Sequence, residues 1–176
     1  MKATGIVRRI DELGRIVIPK EIRRVLHIRE GDPIEIYTND ETVVLKKYAR
    51  VRELGDYAET YCRALCGALA FTACVADTET IVFAAGALKK RLLGLRLSPS
   101  YSERMRQKQV LTAQSDYLLS VQTEPIKTVA AVPILCDGDL VGSVLLASDD
   151  TRLSVRETEL GILKTAALYL GKQLES

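Results

Sequence analysis

Residues 11–24 read DELGRIVIPKEIRR, and their order decides the first fold unit. Gly14 supplies a chain reversal, residues 16–18 are a β-favouring run, and Pro19 opens a helix, where its missing N–H costs nothing. Ile22, Val25 and Leu26 follow at the i, i+3, i+4 spacing of a short amphipathic helix, which leaves Arg23 and Arg24 on the opposite face. Outward from this stretch, residues 4–10 and 15–19 read as two β-like runs either side of the turn. Gly31-Asp32-Pro33 stops the helix, and residues 34–38 and 42–48 form a second β pair around Asn39-Asp40. Four short strands and one brief helix, in a unit of about 50 residues, barely bury a core of their own. Two copies sharing one core would resolve the shortage, so an obligate dimer is expected for residues 1–50.

The net charge of +2 conceals an asymmetry. Residues 1–29 carry eight Lys/Arg against three acids, a net of +5, which leaves −3 for the remainder. A basic end on a mildly acidic body points to a polyanion as partner for that end. Arg8, Arg9, Arg15, Lys20, Arg23 and Arg24 come from three successive elements and use no apolar core position. Arginine offers a planar fork of donors that suits phosphate oxygens and guanine edges. In a dimer the set doubles and acquires the two-fold symmetry of a pseudo-palindromic duplex. The competing reading of these residues is a merely solvated basic surface.

From Val51 the pattern changes. Leu54, Ala58, Tyr61, Leu65 and Ala68 form a narrow seam on a helix of about four turns. Strand-like runs at 71–76 and 80–85 follow, then a capping box Ser100-x-x-Glu103 for a helix reaching about Lys108. Runs at 128–136 and 140–148 flank the hairpin signal Asp137-Gly138-Asp139. A second capping box, Ser154-x-x-Glu157, starts a last helix with a seam of Leu160, Leu163, Ala167, Leu170 and Leu174. The expected plan for 51–176 is α+β, with one antiparallel sheet and flanking helices. The two seams either face that sheet or pair across copies.

Little in the inventory suits catalysis. His27 is the only histidine, which excludes multi-His metal sites, and a surface or helix-end role is expected for it. No Walker loop or G-x-G-x-x-G occurs, and Asp149-Asp150 reads as a turn ahead of the last helix. Cys62, Cys66, Cys74 and Cys136 fit no zinc or redox spacing and read as reduced, largely buried thiols, with redox control a weaker option. Neither a signal peptide nor a membrane span is expected, and the protein is placed in the cytosol.

The phrases TGIVRRIDELGR, VIPKEIRR and IREGDPIEIY carry a family resemblance. Residues 1–48 resemble, nearly end to end, the N-terminal DNA-binding domain of the AbrB-type transition-state regulators. The whole chain looks like the sporulation regulators of that family, whose second domain is GAF-like. The resemblance implies an all-β swapped-hairpin dimeric barrel with one short helix for 1–50. It also implies DNA contact mainly through Arg8, Arg15, Arg23 and Arg24, with Arg9 and Lys20 beside them. The turn at Asn39-Asp40-Glu41 departs from the family in lacking its glycine.

For 51–176 the resemblance is one of architecture and implies a GAF-like sensor or oligomerisation domain. Phe83, Gly86, Ser115, Tyr117 and Val132 are candidate lining positions for an unknown small-molecule effector, each with an ordinary core or loop role as the alternative. No enzyme activity, cofactor or metal is expected. The expected partners are double-stranded DNA and further copies of the chain, as a homodimer through the first domain and a homotetramer through the second. A nucleoid-associated factor of the forespore follows by resemblance. The rival function is an antitoxin-like protein whose C-terminal part binds a protein partner.

Overall fold

A computed structural model describes residues 5–26 and 28–175. His27 lies outside the described residues. Chain contacts divide the molecule into two units, Met1–Tyr48 and Ala49–Ser176.

The first unit contains helix α1 (Lys20–Val25) and an antiparallel hairpin of β1 (Ile34–Asn39) and β2 (Thr42–Lys47). Asn39 pairs with Thr42, so Asp40-Glu41 is a two-residue turn, and Asp40 takes the left-handed conformation at φ +47°. Aspartate tolerates that region better than most residues, which explains how the turn manages without a glycine. The expected strands over residues 5–10 and 15–19 do not form a ladder here. Between them lies a local turn, in which the Gly14 amide donates to the Asp11 carbonyl at 2.9 Å and the Asp11 amide to the Arg15 carbonyl at 3.0 Å.

The second unit opens on a 3-10 turn (Arg50–Leu54), whose Val51 and Leu54 are buried, and continues into α2 (Gly55–Leu69). Five antiparallel strands follow: β3 (Thr72–Ala76), β4 (Ile81–Ala85), β5 (Leu111–Ala113), β6 (Thr128–Cys136) and β7 (Asp139–Ser148). Their order in the sheet is β4-β3-β7-β6-β5. Helices α3 (Lys89–Leu92) and α4 (Pro99–Arg106) lie between β4 and β5, and α5 (Glu157–Gln173) follows β7.

Alternation along the strands feeds two cores. Val75, Val132, Ile134, Val144 and Leu146 face α2 and α5, while Cys74, Ala131, Leu145 and Ala147 face the side of α3 and α4. Because both faces are covered, β6 and β7 read as nearly continuous apolar runs. Asp137 and Gly138 both have positive φ, 51° and 84°, which makes the tight turn that fits the twist of a hairpin.

Three sequence expectations shift by a residue or two. The α4 cap is Ser98, whose hydroxyl accepts from the Tyr101 amide at 3.2 Å, and Ser100 instead bonds Ser98. Pro99 occupies the first helical position, and the cap must precede it. The cap of the last helix is Arg156, still extended, whose amide donates to the Glu159 carboxylate at 2.9 Å, and Val155 before it is buried in the core. The α2 seam runs through Leu54, Ala58, Cys62 and Leu65; Tyr61 is half-buried and Ala68 exposed. The α5 seam is buried at Leu163, Ala167, Leu170 and Leu174, against the domain's own sheet.

Candidate nucleic-acid interface

The six candidate cations of the first unit all lie at its surface. Arg8 and Arg9 precede the Asp11–Arg15 turn, Arg15 closes it, and Lys20, Arg23 and Arg24 come from α1. Arg23 and Arg24 sit in the last turn of α1, where cations complement the helix dipole. Ile22, half-buried, marks the opposite face of that helix. Among the described residues, no carboxylate pairs with Arg8, Arg9, Lys20, Arg23 or Arg24, so their charge is available to an external anion.

Arg15 is held differently. Its Nε donates to Asp11 Oδ2 at 2.7 Å, while Asp11 Oδ1 accepts from the Leu13 amide at 3.0 Å and the Arg15 amide at 2.8 Å. Hydrogen bonds from the Arg15 amide and side chain hold the Asp11 carboxyl below its usual range. Asp11 was not among the sequence-derived site residues. The Asp-x-x-Gly turn spacing is the signal that could have found it, since aspartate accepts from amides two residues on in such turns.

The five candidate lining residues of the second unit do not come together. Phe83 and Val132 belong to the core under α2 and α5, whereas Tyr117 packs against the opposite core. Gly86 lies against Thr72 and Cys66, and Ser115 is exposed in the loop after β5. The cavity near α4 is about 10 Å³, enough for one water, and is lined by Asp77, Tyr101 and Ser143 among others. Tyr101 is fully buried and its hydroxyl bonds that of Ser143 at 2.8 Å.

The cysteines are unpaired, and Cys62, Cys74 and Cys136 are buried. Burial pushes the Cys62 thiol up to about 12 and raises Cys74 as well. Such thiols stay protonated and are poor nucleophiles. Among the described residues, no helix is long and apolar enough to cross a membrane.

Comparison with known proteins places this arrangement. Residues 53–175 match the model of the stage V sporulation protein T C-terminal, transcription factor family. The chain is 41% identical over 179 residues to stage V sporulation protein T of Bacillus subtilis (strain 168), covering 99% of both. It belongs to the stage V sporulation protein T family of transcription factors. Its class is that of DNA-binding transcriptional regulators. The first 48 or so residues carry the second likeness, 65% identity over 48 residues to the transition state regulatory protein AbrB of the same organism, which spans 27% of this chain and 50% of that one. Residues 7–53 also match a model of the antidote-toxin recognition protein MazE, a bacterial antitoxin.

Among solved structures, the GAF domain of PixJ from Thermosynechococcus elongatus superposes with a TM-score of 0.58 at 17% identity, over 73% of this chain and 89% of that one. The GAF domain of the nutrient sensor CodY from Clostridium difficile gives 0.52 at 17% identity, over 66% and 83%. These two show the fold alone. The second unit is GAF-like, with the antiparallel sheet and flanking helices read from the sequence.

Proposed function

We propose that two copies of the first unit interleave into one swapped-hairpin barrel, whose two-fold set of Arg8, Arg9, Arg15, Lys20, Arg23 and Arg24 binds duplex DNA and regulates sporulation genes. One observation carries the dimer. Among the described residues of the first unit only Pro19 is buried, while Val7 is 85% exposed, Val17 72% and Val25 73%. Each such side chain gains about 1.5–3 kcal/mol on full burial, so a second copy has a large driving force to cover them. The same pairing would give residues 5–10 and 15–19 the ladder they lack. Isotope-filtered NMR on a mixture of differently labelled chains tests this: contacts between copies across residues 5–19 are expected, and purely intrachain contacts would contradict it.

The second unit serves this reading as an oligomerisation platform. Helices α2 and α5 expose Tyr57 and Leu168 beside Tyr61 and Tyr169, whose rings stack at 5.7 Å. Cover of this face by another copy would join two barrel dimers into a tetramer. A small-molecule sensor is the other reading; the cavity near α4 holds only a water, but an open groove of about 500 Å³ lined by Tyr57, Tyr61 and Tyr169 could take a ligand. Thermal shift of the full chain against a metabolite library separates the two, since a saturable shift from one compound would favour a sensor.

The antitoxin alternative rests on the match over residues 7–53. Residues 53–175, where a toxin-binding tail would lie, match the sporulation family instead. A nucleoid-associated role in the forespore follows from the sporulation reading, and fluorescence microscopy of a tagged chain in sporulating cells checks it.

A further inference from the structure

Of the six interface cations, Arg15 is the one that a carboxylate holds among the described residues. The pair is open to solvent, with the Arg15 and Asp11 side chains 71% and 42% exposed, so it contributes little stability. Its effect is geometric. Asp11 engages the Nε edge of the guanidinium and both nearby amides, so the side chain and the turn are fixed by one carboxylate. The NH1 and NH2 groups make no hydrogen bond among the described residues and form the edge that remains for a ligand. Two parallel N–H donors on that edge match the O6 and N7 acceptors of guanine in the major groove.

We propose that Asp11 is a positioning residue for Arg15 that favours contact with a base edge over contact with bare phosphate. This rests on the DNA-binding reading above and adds a specificity determinant to it. The Asp11 carboxylate cancels the guanidinium charge locally and repels an approaching phosphate, which lowers the value of Arg15 in non-specific binding. A guanine edge is neutral and suffers no such repulsion, while the Asp11 contact polarises the guanidinium and fixes its plane. The lowered pKa of Asp11 agrees with a carboxylate that stays charged throughout the range in which DNA is bound.

The test uses the full chain and fluorescence anisotropy on two duplexes of equal length. One is enriched by the wild-type chain from a randomised pool, and the other is unselected. Asp11→Asn keeps an oxygen that accepts from the turn amides but removes the charge. It should weaken the enriched duplex about tenfold, within the range of one lost bidentate base contact. It should leave the unselected duplex as tight or about twofold tighter, as one less repulsive charge implies.

Asp11→Ser, whose hydroxyl also caps such a turn, should behave the same way and guards against misfolding of a single variant. Arg15→Ala should weaken the enriched duplex by at least as much, and Asp11→Asn should then add nothing to it. Equal changes on both duplexes, or additive losses in the double variant, would overturn the positioning role while leaving the DNA-binding reading intact. Unchanged binding by Arg15→Ala would overturn the assignment of Arg15 itself, and the role of Asp11 with it.

Discussion

The Arg52 guanidinium meets the Asp77 carboxylate at 2.9 Å, which fastens the 3-10 turn that opens the second unit to the turn between β3 and β4. Asp77 also accepts from the Glu79 amide at 2.8 Å and the Thr80 amide at 2.7 Å. Arg50 adds a second tie, its NH2 donating to the Leu174 carbonyl at 3.1 Å. The segment that leads out of the DNA-binding unit is thus anchored as soon as it enters the GAF-like one.

The partners of that ion pair are not equivalent. Asp77 is only 8% exposed at its side chain, and Arg52 is 53% exposed. Asp77→Ala leaves two partly buried amides without their acceptor and should cost about 1–3 kcal/mol. Arg52→Ala should cost under about 1 kcal/mol, because solvent screens its charge. Urea denaturation of the full chain, followed through the second unit, distinguishes them; equal costs would show that the pair and not the turn carries the stability.

Gly171 tests how closely α5 lies on the sheet. A Cβ there would overlap the Leu135 carbonyl oxygen, a backbone atom that cannot rotate away. Gly171→Ala should therefore destabilise the second unit by about 1–3 kcal/mol, although alanine normally stabilises a helix. A gain in urea midpoint would contradict the packing described.

The buried thiols set a pH dependence. Burial raises the folded-state pKa of Cys62 from an ordinary 9.0 to about 12. Below pH 9 the thiol is protonated whether folded or not, so it contributes no pH dependence there. Between about pH 9 and 12 the unfolded chain loses the proton first, and stability falls as pH rises. Cys62→Ala should flatten that alkaline limb, and native Cys62 and Cys74 should resist alkylation at pH 8 until the chain unfolds.

On the outer face of α2 and α5, Leu168→Asp places a charge on a 66% exposed apolar site. Such a change should leave the fold intact and reduce the assembly from tetramer to dimer by sedimentation equilibrium. A wild-type chain that sediments as a dimer, and is unchanged by the substitution, would remove the platform reading.

Local sequence carried much of this structure, and its failures share a physical origin. The runs at 71–76, 80–85, 128–136 and 140–148 became strands because β-favouring residues were bounded by turn chemistry such as Asp137-Gly138. The short β5 and α3 carried too little pattern to be read. Caps moved from Ser100 to Ser98 and from Ser154 to Arg156 because a proline in one case, and burial of Val155 in the other, overrode the motif.

The first two β runs were legible as apolar patterns, but among the described residues they enter no ladder. The surface placement of the six candidate cations was legible from their spacing around the apolar positions. Asp11 was not, because its role depends on a turn that joins two atoms of Asp11 to Arg15. The five proposed lining residues failed to converge because GAF-like architecture alone does not say which face of the sheet each side chain takes.

The most direct measurement is the salt dependence of DNA affinity for the full chain and for Arg23→Ala/Arg24→Ala. If each protomer places Arg8, Arg9, Arg23 and Arg24 on phosphates, with Arg15 on a base edge, a dimer neutralises about eight, and log K against log salt slopes at roughly −7. The double substitution removes four of these contacts per dimer, so the slope should fall to roughly −3.5 with a large loss of affinity and no loss of the dimer. An unchanged slope and affinity in the double variant would contradict a two-fold arginine surface as the DNA-binding site.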